Sequence, residues 1–107
     1  MSTEERVLGP VGTEVVFEND RVRIWQLRLA PGERSAIHEH ELDNVLIQIS
    51  GGRIAAEPEA DSAGEYNEYI EADVNPGDVV FIGKGGIETA VNKGTTPYLE
   101  IIVELKD

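Results

Sequence analysis

The stretch from Gly32 to Gly51, GERSAIHEHELDNVLIQISG, decides how the rest of the chain is read. Its centre, Ile37 to Ile49, is mostly extended in character and ends at Ser50-Gly51-Gly52, so it predicts a strand closed by a glycine turn. The two histidines of the chain both lie in it, as His38-Glu39-His40. In an extended segment residues i and i+2 point to the same side, so the two imidazoles face one interior point and offer a nitrogen pair to a single metal ion. The same parity continues through Leu42, Asn44, Leu46 and Gln48, and it turns Asp43 away unless a bulge intervenes.

Outward from this stretch the pattern stays that of strands. Thr13 to Phe17 predicts a strand and Glu18-Asn19-Asp20 a turn, followed by Val22 to Leu29 with Arg23, Trp25, Leu27 and Leu29 on one face, closed by Pro31-Gly32. Further strands are expected at Arg53 to Glu57, Glu65 to Glu71, Val79 to Ile82 and Thr89 to Asn92, separated by the polar loop 58–64 and by the breaks Asn75-Pro76-Gly77-Asp78 and Gly83-Lys84-Gly85-Gly86. The last strand, Tyr98 to Leu105, alternates: Leu99, Ile101, Val103 and Leu105 share one face, and Tyr98, Glu100 and Glu104 the other, with Ile102 an exception on the polar side. Trp25 and Phe81 are expected in the core. Many short strands with turn signals about every ten residues favour an all-β sandwich or closed barrel over a βαβ arrangement.

Composition bounds the function. The chain has 107 residues, the size of one domain, and no repeat or linker divides it. Nine basic against 21 acidic residues give a formal charge of -12, which repels a phosphate backbone and an acidic lipid surface alike, so neither nucleic acid nor a membrane is an expected partner. There is no cysteine, which removes disulfides, thiolate metal sites and cysteine nucleophiles and suggests a cytoplasmic setting. The start, MSTEERVLGP, has neither a basic opening nor an apolar run.

Two motifs carry a resemblance. From Gly32 the chain reads Gly, five residues, His38-Glu39-His40, three residues, Asn44, six residues, Gly51; from Gly77 it reads five residues, Gly83, Lys84, Gly85, two residues, Glu88, three residues, Asn92. In spacing these resemble the first and second motifs of the cupins, and the whole chain, 1–107, is similar to a single small cupin domain with motifs within 32–51 and 77–92. The resemblance implies a cupin-type β-barrel, a double-stranded β-helix or jelly roll. Asn44 stands where the family's first motif has an acid, Glu88 where the second has a histidine, and Gly83 where it has a proline.

The resemblance implies a metal centre. Carried over position by position, His38, His40, Glu88 and Asn44 are the candidate ligands, with the carboxylate moved from one motif to the other and the formal charge of metal plus ligands unchanged. Two histidines and a carboxylate also form the ligand set of non-haem Fe(II) oxygenases, which makes Fe(II) the favoured ion, with Zn, Mn or Ni as alternatives. The leading expectation is a dioxygenase-like metal-dependent enzyme acting on a small organic molecule; the alternatives are a small-ligand-binding or accessory protein without chemistry and a metal-assisted isomerase or hydrolase. Gln48, by its inward parity, and Gln26 and Arg28 are candidate substrate-binding groups. Small cupins pair as dimers, and the outward run Val45, Ile47, Ile49 gives a local reason to expect a homodimer here. The stretch Gly77 to Lys84 is no phosphate-binding loop, since five mostly apolar residues separate its glycines and no helix follows.

Overall fold

The pairing of strands follows the alternation read above. In the computed structural model, which describes residues 6–64 and 67–107, the described chain forms β1 (Glu14–Glu18), β2 (Val22–Leu29), β3 (His38–Glu39), β4 (Asn44–Ser50), β5 (Arg53–Pro58), β6 (Ile70–Asp73), β7 (Val79–Ile82), β8 (Ile87–Asn92) and β9 (Tyr98–Leu105). Two antiparallel sheets result, one of five strands in the order β1-β2-β9-β4-β7 and one of four in the order β3-β8-β5-β6. No helix among the described residues is long and apolar enough to cross a membrane.

Three expectations change. The continuous strand expected from Ile37 to Ile49 is two strands in different sheets: His38 pairs with Glu88 in the four-stranded sheet, whereas Asn44 pairs with Ile82 and Glu104 in the five-stranded one. The chain crosses between the sheets at Glu41 to Asp43, and the crossing is pinned where the Asp43 carboxylate accepts the Lys84 N–H at 2.9 Å. The expected strand from Glu65 to Glu71 is β6, Ile70–Asp73; Glu65 and Tyr66 lie outside the described residues. Strand β8 begins at Ile87, so Glu88 sits within a strand opposite His38 and not in the preceding glycine turn.

Strand β9 is central to the five-stranded sheet, and its polar parity is the one that faces in. Tyr98, Glu100, Ile102 and Glu104 are 2%, 8%, 1% and 4% exposed, while Leu99, Ile101, Val103 and Leu105 are only half-buried on the outside. Ile102 is thus no exception: it joins Leu27, Leu29, Val74, Ala90 and Tyr98 in the core, with Trp25, Leu46 and Ile54 packed against them. Each fully buried aliphatic side chain of this kind contributes about 2 kcal/mol. Gly51 makes room for the core tyrosine, because it has φ of +134° and a Cβ there would stand 2.8 Å from the Tyr98 ring.

The outer face of the same sheet carries apolar residues on every strand. In register lie Phe17, Ile24, Val103, Val45 and Phe81, and beside them Ile101, Ile47 and Val79. Phe81, expected in the core, is 55% exposed on this face. The reason is parity: Val80 and Ile82, its neighbours on β7, are the residues that turn inward to line the interior.

Candidate metal centre

The two histidines reach one point from adjacent positions at the edge of the four-stranded sheet. β3 is short, but His40 extends its pairing, donating its N–H to Gly86 O and accepting the Gly85 N–H, both at 2.8 Å. Gly85, with φ of +116°, supplies the turn that allows this. The rings stand edge to face, their centroids 4.9 Å apart.

Glu88 meets them from β8. Its Oε2 is 3.4 Å from His40 Nε2 and 3.9 Å from His38 Nε2, and one donor atom from each of the three side chains lies within 4.8 Å of the others. Ligands about 2.1 Å from a shared ion stand about 3.0 to 3.5 Å from one another, so the widest pair of the cluster must close by about 1 Å to hold one. The donor set of two imidazoles and a carboxylate suits a divalent metal, and the residues fit it.

The protonation of two members supports ligation. Burial pushes the His38 imidazole below its ordinary value, against the opposing pull of its bond to Ala36 O, so it is neutral near pH 7. That bond, from Nδ1 to the Ala36 carbonyl at 3.0 Å, fixes the tautomer with a free lone pair on Nε2. Burial acts to raise the Glu88 carboxyl, but the hydrogen bond from His40, with the pull of the two imidazoles when they carry a proton, outweighs it and holds it below the usual glutamate range.

Asn44 is wholly buried and stands behind His40, not beside Glu88. Its Nδ2 is 3.3 Å from His40 Nδ1, 3.2 Å from Leu42 O and 3.4 Å from Ile82 O, while its Oδ1 is buried with no partner among the described residues. Asn44, expected among the ligands, thus meets the imidazole nitrogen of His40 that does not meet Glu88. Ligation through His40 Nε2 requires the ring proton on Nδ1, where an acceptor must meet it. A half-turn of the Asn44 amide brings the unpartnered Oδ1 to that place, at the expense of its bonds to the two carbonyls.

The other expected site residues are placed as follows. Gln48 is half-buried and does not reach the cluster; its Nε2 donates to Tyr98 Oη at 3.5 Å and its Oε1 accepts the Asn75 N–H at 3.1 Å. Gln26 and Arg28 lie on the outer face opposite Ile101 and Leu99, with the Arg28 guanidinium bonded to Gln26 at 2.5 Å and to Glu14 at 2.6 Å. The inward parity of β2 belongs to Leu27 and Leu29, so neither Gln26 nor Arg28 faces the interior site.

Next to Glu88 the space between the sheets holds a cavity of about 360 Å³, walled by Leu46, Ile54, Ile70, Val80, Ile82 and Ala90 and reached by Glu100. Sequence reasoning missed Glu100 and its partner Tyr98. The available signal was Ile102, whose lone apolar side chain on the polar parity of β9 marks that face as the inner one. Burial raises the Glu100 carboxyl to about 7, helped by the charge of Glu88 and opposed by the bond from Tyr98 and by His40. Burial also pushes the Tyr98 hydroxyl up, so it stays a donor.

Solved structures share this architecture. A cupin domain from Bordetella pertussis Tohama I superposes with a TM-score of 0.75 at 21% identity, over 98% of this chain and 100% of that one. The fold is that of the cupins. A cupin superfamily protein from Desulfitobacterium hafniense matches with a TM-score of 0.64 at 20% identity over 97% of this chain and 84% of its own. The polyketide cyclase RemF of Streptomyces resistomycificus matches with a TM-score of 0.58 at 17% identity, over 83% of this cupin-fold chain and 57% of the cyclase. No protein-family model matches the sequence, and no curated protein matches it.

Proposed function

We propose that this cupin-fold protein is a metal-dependent, dioxygenase-like enzyme acting on a small organic molecule held between its sheets. The observation that carries the reading is the convergence of His38, His40 and Glu88 on one point beside an apolar cavity. Fe(II) is the favoured ion and Zn, Mn or Ni the alternatives; when bound, such an ion supplies Lewis acidity and open positions for substrate and, with iron, for dioxygen. The chain's own residues do the rest: His38 enters as a preset neutral ligand, Glu88 brings the negative charge, Asn44 sets the proton of His40, and the aliphatic walls give the substrate an apolar surround. The test is oxygen uptake by protein loaded anaerobically with Fe(II) and offered small phenols, diketones and thiols; uptake that is lost in His38→Ala supports the reading, and uptake by none of them, or uptake unchanged in that variant, overturns it.

A non-catalytic, ligand-binding role is favoured by a different observation. With His40 Nε2 bonded to Glu88 and Nδ1 facing the Asn44 amide, both ring nitrogens of His40 have protein partners without an ion. A melting temperature unmoved by any divalent metal would support that role, because a ligand of the native state must stabilise it. Lewis-acid isomerisation or hydrolysis is the third reading, reached if zinc or manganese supports turnover without oxygen.

For the apolar outer face we infer a second copy of this chain as the partner. Phe17, Val79 and Phe81, 52%, 63% and 55% exposed, extend the half-buried Val45 and Ile47 into one patch that a monomer would leave in water. Light scattering at micromolar concentration should return two chains, and Val79→Asp with Phe81→Asp should return one; a single chain for the unaltered protein removes the dimer. The acidic balance fits a cytoplasmic protein with no nucleic-acid or membrane partner.

A further inference from the structure

The cavity beside the metal centre has two unlike ends, and the end away from the histidines is built for a particular kind of group. Glu100 projects into it from β9, in the sheet opposite Glu88, and is 8% exposed. Its one hydrogen-bond partner among the described residues is the Tyr98 hydroxyl, which donates to Oε1. The direction of that bond is imposed from outside. The Asn75 N–H is accepted by Gln48 Oε1, which turns the Gln48 Nε2 toward Tyr98 Oη, so the tyrosine receives on its oxygen and gives its proton to Glu100. Oε1 is thereby committed as an acceptor, and a neutral Glu100 carries its own proton on Oε2, facing the cavity.

Apart from Glu88, the rest of the lining is aliphatic. Leu46, Ile54, Ile70, Val80, Ile82 and Ala90 form the walls, and among the described residues no lysine or arginine lines them. An anion placed here would meet the charge of Glu88 and find no cation of the protein. An ammonium would have to leave water for aliphatic walls, with only Glu88, already bonded to His40, and a neutral Glu100, already bonded to Tyr98, to receive its three donors. At about 360 Å³ the space lies near the small end of small-molecule pockets.

We propose that this cavity takes a small, uncharged, largely apolar carbonyl compound, and that Glu100, oriented by Tyr98 and Gln48, donates the hydrogen bond that holds the carbonyl oxygen. The proposal names the substrate class of the site described above and rests on the reading of that interior as a substrate site. It requires no metal for the bond itself: the donor, the acceptor and the apolar walls belong to the chain and the ligand.

The experiment is ligand titration of the chelator-treated, metal-free protein at pH 6, followed by calorimetry, with acetophenone as the neutral probe and benzoate and benzylamine as charged probes of similar shape. Acetophenone is expected to bind, and each charged probe at least about tenfold more weakly, a difference of about 1.4 kcal/mol or more. Glu100→Leu is expected to lose about tenfold or more for acetophenone, and Glu100→Gln, whose amide still donates, to stay within about threefold. The double variant Tyr98→Phe with Glu100→Leu leaves no buried hydroxyl unpaired and should match Glu100→Leu, which separates a lost hydrogen bond from a damaged fold. No acetophenone binding up to about 10 mM, equal or tighter binding of benzoate or benzylamine, or unchanged acetophenone binding in Glu100→Leu overturns the proposal. Metal uptake measured on the same preparations keeps the two readings apart: full uptake without acetophenone binding retires the substrate class alone, and acetophenone binding without uptake retires the metal alone.

Discussion

Glu88 and Glu100 are carboxyls facing one cavity from opposite sheets, and their surroundings drive them to opposite states. Glu88 has two imidazoles within 4 Å and is held ionised; Glu100 has a tyrosine hydroxyl and aliphatic walls, and burial lifts it to about 7. Buried carboxylates ionise where hydrogen-bond donors and titratable cations stand beside them and keep their proton where they do not. The same side chain is therefore a candidate metal ligand at one end of the interior and, in the reading proposed above, a hydrogen-bond donor at the other.

The comparison breaks most completely at Glu88. Glu88→Ala should weaken metal binding by more than the roughly 10- to 100-fold typical of losing an outer partner, and Glu88→His should retain the metal, as titration with zinc against a competing chelator would read. In the same assay Asp43→Ala should leave affinity unchanged, because that carboxylate is bonded to the Lys84 N–H. Loss of metal in Asp43→Ala with none in Glu88→Ala would put the ligand set one residue away from where it is drawn here.

At the other end the readout is stability against pH in the metal-free protein. A free glutamate titrates near 4.5 and Glu100 near 7, so between these values the folded state binds the additional proton. The associated stability is complete below about 4.5 and is lost as pH rises through about 7, an effect on the order of 3 kcal/mol. Glu88, His40 and Tyr98 are the titratable groups acting on it. Urea midpoints measured from pH 5 to 8 should fall relative to those of Glu100→Gln, since His38, lowered by burial, adds the same opposing slope to both proteins; equal slopes would mean that another group carries the dependence.

Two smaller effects sharpen the contrast. Asn44→Ala should lower zinc affinity by about tenfold through His40, leaving the three ligands in place. Gln48→Leu should cost about 1 kcal/mol in a urea melt and loosen the orientation of Tyr98, seen as a weaker acetophenone titration with unchanged metal uptake. Loss of metal in Gln48→Leu would show that the two ends are not separate.

Much of the metal end was legible in the sequence and little of the carboxyl end. The i, i+2 spacing of His38 and His40 encodes shared direction, and this survives even though the expected single strand is divided between sheets. Glu88 was placed by its position relative to Gly77 and Gly85, which the structure converts into a cross-strand pair with His38. Asn44 has the inward parity expected of it, but parity fixes a face and not the atom that is met, and its amide meets the far nitrogen of His40. Glu100 was hidden because β9 reverses the usual association of apolar with inside: Leu99, Ile101 and Val103 sit on the outer patch, so alternation alone assigns the wrong face to the core. Gln26 and Arg28 were misplaced for the same reason, as polar residues of an outer face.

The most direct test of the central claim is the metal content of tag-free protein purified without chelator, read by inductively coupled plasma mass spectrometry beside the His38→Ala and His40→Ala double variant. Close to one divalent ion per chain, lost in the variant, is the result expected of a centre built from His38, His40 and Glu88. No metal after reconstitution, or the same content in both proteins, would contradict it.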